Sequence, residues 1–189
     1  MMRSNETLEV IKKRRSIRAF TAEQIKDEDL QAVLEAGVYA PSAANQQAWH
    51  FTVIQNKEVL DRLNHDAKEA GKQSDNEYIR KIMNNEKFNI FYGAPTLIIV
   101  SGNEQAMVIE SDCAAANQNM LLGAEALGLG SCWINLVLLA FGLPDGQKYL
   151  EELGIPAGYK PFCSTVLGYK KVEPLNAPER KSNIVNFIK

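Results

Sequence analysis

Nine residues, "APTLIIVSG" at 94–102, limit the possible folds more than any other part of the chain. Continuous apolar character without polar alternation, closed by Pro95 and Gly102, reads as a short buried strand. The run is far too short to cross a bilayer, which takes roughly 20 apolar residues. A buried strand needs partners and covers, and the rest of the sequence supplies both. "WHFTVIQ" (49–55), "SCWINLV" (131–137) and "FCSTVLGY" (162–169) read as further strands.

Helical spacing recurs between them. "NETLEVIKKRR" (5–15) predicts a short helix capped by Ser4 or Asn5, with cations toward its end. In "DEDLQAVLEAGVYA" (27–40), Leu30, Val33, Leu34, Gly37 and Val38 share a face; Asp27 is the expected cap and Pro41 the stop. "KEVLDRLNHDAKEAGK" (57–72) continues helically to Gly71, and "LPDGQKYLEELG" (143–154) adds another helix. Met107–Leu127 is the longest candidate. Its small residues, in "CAAANQNMLLGAEA", let another backbone approach closely, and Gly128 and Gly130 end it. The polar segment 73–91 predicts a helix bordering a mobile loop.

Helices and strands do not alternate strictly, so the fold class is α+β, a central sheet flanked by helices. With 189 residues, 46% of them hydrophobic, the chain suits one domain over 1–189 or one protomer of an intertwined oligomer. The end of the chain, 172–189, is different. Pro174 and Pro178 oppose regular structure, yet Ile184, Val185, Phe187 and Ile188 lie beyond them. Such an arm is expected to embrace a second subunit. Cys113, Cys132 and Cys163 are odd in number and form no CxxC, which suggests neither a disulfide framework nor a zinc site. No apolar signal core opens the chain. A reducing cytoplasm is the expected location, with no membrane partner.

Charge is the second constraint. Five of the seven residues of "KKRRSIR" (12–18) are cationic, yet the chain carries a net charge of −2. Without them 16 basic residues would face 23 acidic ones. A chain that is acidic elsewhere argues against a nucleic-acid partner. The cluster reads either as a cationic last helical turn or as a site for a local anion. Arginine's planar fork suits phosphate oxygens, and Ser16 can add a hydrogen bond. Arg14 and Arg18 share a face if the helix continues; if it ends near Ser16, Arg18 reaches another part of the same ligand. A phosphorylated small molecule fits.

Other chemistry is poorly supplied. "GLGSCW" (128–133) has Trp133 where a dinucleotide fingerprint needs its third glycine, and it follows a helix rather than a strand. Gly71-Lys72 has Asp66 where a phosphate loop needs its first glycine. With only His50 and His65, no histidine metal site is expected. The loop in "APSAANQQAWHF" (40–51) carries Ser42, Asn45, Gln46 and Gln47, more hydrogen-bonding side chains than a turn requires, and its backbone N–H groups could meet polar ring edges.

Four stretches now stand in order: "RRSIRAF" (14–20), "APSAANQQAW" (40–49), "LGLGSCWI" (127–134) and "APERK" (177–181). Together they resemble the FMN-dependent nitroreductase family over essentially the full chain. The resemblance implies a mainly antiparallel central sheet and a C-terminal arm exchanged in a homodimer with FMN at its interface. Arg14, Arg15 and Ser16 match the positions holding the FMN phosphate and ribityl chain, and Arg18 the basic residue beside the pyrimidine edge. Pro41, Ser42, Ala43, Asn45 and Gln47 match the loop that reaches the flavin, partly from the other subunit. Ile134 and Asn135 match the segment near N5, and Arg180 with Lys181 the C-terminal phosphate contact.

The implied activity is electron transfer from NADH or NADPH to nitroaromatics, quinones or similar acceptors by ping-pong kinetics. No side chain is expected to act as catalytic acid or base; Arg18 and Asn135 would tune the flavin. The alternatives are reductive dehalogenation or oxygen-dependent flavin breakdown within the family, and a non-enzymatic nucleic-acid module outside it. Two departures stand out. Ala48 replaces a frequent proline, and Asn135 stands where relatives commonly carry glycine or glutamate. Segment 73–91 would border the substrate entrance.

Overall fold

The computed structural model describes residues 4–173 and 176–189; Pro174, the first half of the expected break before the arm, lies outside them. Helices α1 (Glu6–Lys13) and α2 (Asp27–Val38) precede strand β1 (Trp49–Ile54). Helices α3 (Lys57–Gly71) and α4 (Glu77–Met83) lead to β2 (Thr96–Asn103), the long α5 (Ile109–Ala126) and β3 (Gly130–Trp133). Helix α6 (Gly146–Glu152) and β4 (Tyr159–Gly168) follow. The strands form one antiparallel sheet in the order β1-β2-β4-β3. The α+β reading holds.

Strand β2 explains the sheet's position. Successive side chains point to opposite faces, and here both faces are covered. Leu97 and Ile99 enter a core with Leu63 and Ala67 of α3, Met83 of α4 and Val137. Ile98 and Val100 enter a second core with Val33 of α2 and Cys113, Met120 and Ala124 of α5. All four β2 side chains are fully buried, each worth roughly 1.5–3 kcal/mol over exposure. The small residues of α5 serve as expected. A Cβ on Gly123 would stand 3.1 Å from the Ala36 Cβ, and one on Gly37 2.9 Å from Met120 Cγ. A side chain at either position would force the neighbouring groups to shift, so glycine eases the close approach of α2 and α5.

Three local expectations change, and a fourth, a helix within 73–91, is met by α4. The strand expected over 131–137 stops at Trp133, and Leu136–Gly142 form a 3-10 segment packed on the first core. The Ile134 N–H makes one more in-register bond, to Ser164 O at 2.8 Å, before Asn135 turns back (φ −99°, ψ −2°) and ends the ladder. Helix α1 ends at Lys13, with Arg14 already extended (φ −51°, ψ 129°); Arg14 and Arg18 therefore share no helical face. Lys26, not Asp27, is the cap position of α2, while Asp27, Glu28 and Asp29 fill its first turn with negative charge. In 73–91 only α4 is helical, with the Asn76 side chain as its cap, and Lys68 ties the following turn by donating to Asn85 O and Phe88 O, each at 2.9 Å. Among the described residues no helix is long and apolar enough to cross a membrane.

Candidate functional site

The arginines leave α1 along the outer edge of β3. Ser16 forms a parallel bridge to Ser131, and Ile17 N–H donates to Ser131 O at 2.9 Å. Buried Ile17 and Phe20 pin this extended segment to the core, while Ser16 and Arg18 stay exposed. Arg15 folds back instead. Its Nη1 donates to Lys12 O (2.6 Å) and Arg14 O (2.7 Å), carbonyls that the helix end leaves free. Its Nε is buried without a hydrogen-bond partner among the described residues. Such an orphaned donor costs about 1–3 kcal/mol unless a ligand satisfies it.

Across from this segment runs the beginning of the C-terminal arm. The two enclose a cleft of about 450 Å³ lined by Arg14, Arg15, Ser16 and Arg18 on one wall and Asn176, Pro178 and Arg180 on the other. Glu173 is the one carboxylate in the lining. Among the described residues none of these four arginines forms a salt bridge. The site therefore carries an excess of planar, charged donors, suited to a phosphate group. The Arg18 guanidinium lies 5.9 Å from the ring centre of Tyr92. Tyr92 is itself left-handed (φ 56°) and packs edge-on against Phe88.

Beneath this wall lies Cys132. Burial pushes its thiol up, while the Arg18 charge, a hydrogen bond to Ser16 and the Arg14 charge pull the other way. Burial dominates, so Cys132 is a neutral filler rather than a nucleophile.

The other expected residues do not reach this cleft within one chain. Loop 41–47 lies at the start of α5, where the Ala43 N–H donates to both carboxylate oxygens of buried Asp112 at 3.2 and 3.3 Å. Asn45 and Gln46 N–H groups bond to Ser42 O and Ala43 O, and Gln47 N–H bonds to Ser42 Oγ. These N–H groups are thus consumed inside the loop, contrary to the expectation that they face a ligand. Pro41, Asn45 and Gln47 remain exposed, with Ser42 and Ala43 half-buried. Ala44, Asn45 and Gln47 are left-handed (φ 48°, 53° and 46°), a strain of about 1–3 kcal/mol each that clusters at functional sites. Ile134 is buried and Asn135 exposed, its Oδ1 accepting from Trp133 Nε1 at 2.8 Å. Lys181 is exposed and outside the cleft lining.

Sequence reasoning missed Asp112 and Tyr92. An acidic residue in the first turn of α5 looks like a dipole partner, and nothing local announces a left-handed tyrosine. A second cavity of about 440 Å³ includes Gln24, Gln55, Lys57, Asp61 and Phe91 in its lining, but its cation, Lys57, is paired with Asp61. Among the described residues no group of three His, Cys, Asp or Glu could hold a metal.

Comparison with known proteins places this geometry. Residues 11–169 match the nitroreductase family. A nitroreductase from Bacteroides fragilis, solved with bound FMN, superposes with a TM-score of 0.90 at 40% identity, covering 98% of this chain and 100% of that one. An FMN-bound nitroreductase from Desulfitobacterium hafniense gives 0.90 at 32% identity, with full coverage of both chains. A relative from Archaeoglobus fulgidus, named NADH dehydrogenase/NAD(P)H nitroreductase, is 34% identical over 174 residues, 89% of this chain and 87% of that protein.

Proposed function

The chain belongs to the nitroreductase family, and on that premise we propose that it is a cytoplasmic, homodimeric flavoprotein that passes electrons from NADH or NADPH to nitroaromatics, quinones or similar electron-poor acceptors by ping-pong kinetics. The observation that carries the reading is a cleft whose arginines come from both walls, one of them Arg15, whose buried Nε has no partner among the described residues. That donor set fits the phosphate of FMN. Bound FMN would supply the hydride-accepting and hydride-donating chemistry.

The chain's own groups would bind and orient. Arg14, Arg15, Ser16 and Arg180 would hold the phosphate and ribityl chain, with Lys181 adding charge at the rim. Arg18 would sit beside the pyrimidine edge, where its cation favours the reduced ring. Ile134 and Asn135 would lie near N5. Pro41, Ser42, Ala43, Asn45 and Gln47 would complete the site from a partner subunit. The loop's distance from the cleft within one chain supports that division.

Residues 1–189 act as one unit in this reading, with 172–189 as the arm. In the single chain Phe187 is 81% exposed and Ile188 99%, surface that an exchanged arm would bury. Three free, buried cysteines suit a reducing compartment. No catalytic side-chain acid or base is required.

A visible spectrum of the purified protein tests the proposal. Flavin bands are expected that bleach anaerobically with a reduced nicotinamide and return with a nitroaromatic. A colourless protein that takes up no added FMN overturns it.

A further inference from the structure

The geometry assigns Trp133 a positioning role: it turns the Asn135 amide so that only its N–H donors face the flavin. The inference rests on the FMN reading above. Trp133 ends β3, and its indole Nε1 lies 2.8 Å from Asn135 Oδ1. An indole nitrogen can donate and cannot accept. The chemistry therefore decides which end of the amide meets it. The oxygen faces Trp133, and the NH₂ points away.

Little freedom remains to undo this orientation. Ile134 N–H donates to Ser164 O at 2.8 Å, and the Ser164 hydroxyl donates to Ile134 O. Asn135 O accepts from Leu138 N–H at 3.1 Å, which fixes the start of the 3-10 segment. Asn135 Nδ2 and the Asn135 backbone N–H have no partners among the described residues. The residue thus presents donors on its free side while its side-chain oxygen is engaged. At N5 the oxidised ring offers a bare acceptor, which such a surface recognises. An amide released from Trp133 could turn its oxygen toward the same place and meet N5 with repulsion.

This reading gives Asn135 a sense that its departure from the family pattern lacked. Glycine offers only a backbone donor there, and a glutamate carboxylate adds acceptors. Asparagine gives a second donor only while its oxygen is held elsewhere. Trp133 holds it.

Titration of the apo-protein with FMN and with 5-deaza-FMN, followed by flavin fluorescence, tests the assignment. The deaza compound has the same shape and phosphate but carries C–H in place of N5. Wild type should prefer FMN by about 3- to 10-fold, the worth of one neutral hydrogen bond. Trp133→Phe keeps an aromatic ring at a position 37% exposed, and it should cut the preference, as Asn135→Ala should, to the part that the Asn135 backbone N–H alone sustains. A merely structural role for Trp133 would weaken both compounds alike and leave the preference intact. Should Trp133→Phe fail to fold, Asn135→Asp decides, because its acceptor-only carboxylate must lower the preference below that of Asn135→Ala. Wild-type preference retained in Trp133→Phe or in Asn135→Asp, or no preference in wild type, overturns the inference. Failure of wild type to bind either compound overturns the FMN reading itself, and this inference with it.

Discussion

Arg15 combines a capping contact with an expected phosphate contact, and two flavins can separate them. Its Nη1 closes carbonyls at the end of α1, and its Nε is a buried donor without a partner among the described residues. In Arg15→Ala both are lost. A charge-assisted hydrogen bond contributes about 1.5–3 kcal/mol, so the dissociation constant for FMN should rise about 10- to 150-fold. The exposed carbonyls of Lys12 and Arg14 gain water, which keeps the stability loss near the lower end of about 0.5–1.5 kcal/mol per bond. Arg15→Lys keeps the charge, but an ammonium lacks the planar fork and cannot cap the carbonyls and serve the phosphate together. It should fall between wild type and Arg15→Ala.

Riboflavin makes the experiment specific, because it has the same ring without the phosphate. Apo-protein titrated at fixed ionic strength with both flavins should show Arg15→Ala losing FMN affinity while riboflavin affinity holds. Arg180→Ala, on the opposite wall, should do the same. If both residues grip one phosphate, the double variant should lose less or more than the sum of the singles. Equal losses for FMN and riboflavin in Arg15→Ala would refute the argument that the orphaned Nε waits for a phosphate oxygen.

Arg18→Gln should lower the flavin midpoint potential by roughly 30–60 mV, since for two electrons about 30 mV corresponds to about 1.4 kcal/mol of lost preference for the reduced ring; spectroelectrochemical titration reads it, and an unchanged potential removes Arg18 from that role. Burial pushes the thiols of Cys113 and Cys163 from 9.0 up to about 12, so the folded chain keeps protons that the unfolded chain loses above pH about 9, and stability should fall with rising pH, approaching about 1.4 kcal/mol per pH unit per thiol. Urea unfolding between pH 9 and pH 10.5 under reducing conditions should show a shallower decline in Cys113→Ala/Cys163→Ala, and identical slopes would disprove it.

Much of the sheet was legible because its signals are local. Leu97–Val100 lack polar alternation because both faces of β2 are covered, and Gly37 and Gly123 sit where α2 and α5 meet. The apolar run after Trp133 misled because strand and helix share that composition when both are buried. What decides it is Asn135, which turns into helical space (φ −99°, ψ −2°) one residue after the last bond to β4, from Ile134 N–H to Ser164 O. The cationic stretch suggested an anionic ligand but did not announce its own backbone. A helical reading put Arg14 and Arg18 on one face, whereas Ser131 draws Ser16 and Ile17 into an extended path.

The candidate site was legible in its parts and hidden in its assembly, for a physical reason. Cations that gather in sequence repel one another, and they remain together only where something outside the stretch repays that cost. Among the described residues nothing does: Arg14, Arg15, Arg18 and Arg180 share the lining with one carboxylate, Glu173, and pair with none. Asp112 shows how the fold treats a charge that it does satisfy internally, burying it against the Ala43 N–H. Arg14 and Arg15 are left half-buried and Arg18 and Arg180 exposed, and the apolar end of the arm is left uncovered. Both deficits point outward, to an anion and to apolar surface that this chain lacks. A dimer that closes around a phosphorylated cofactor would satisfy the two at once, so that each binding event strengthens the other by mass action.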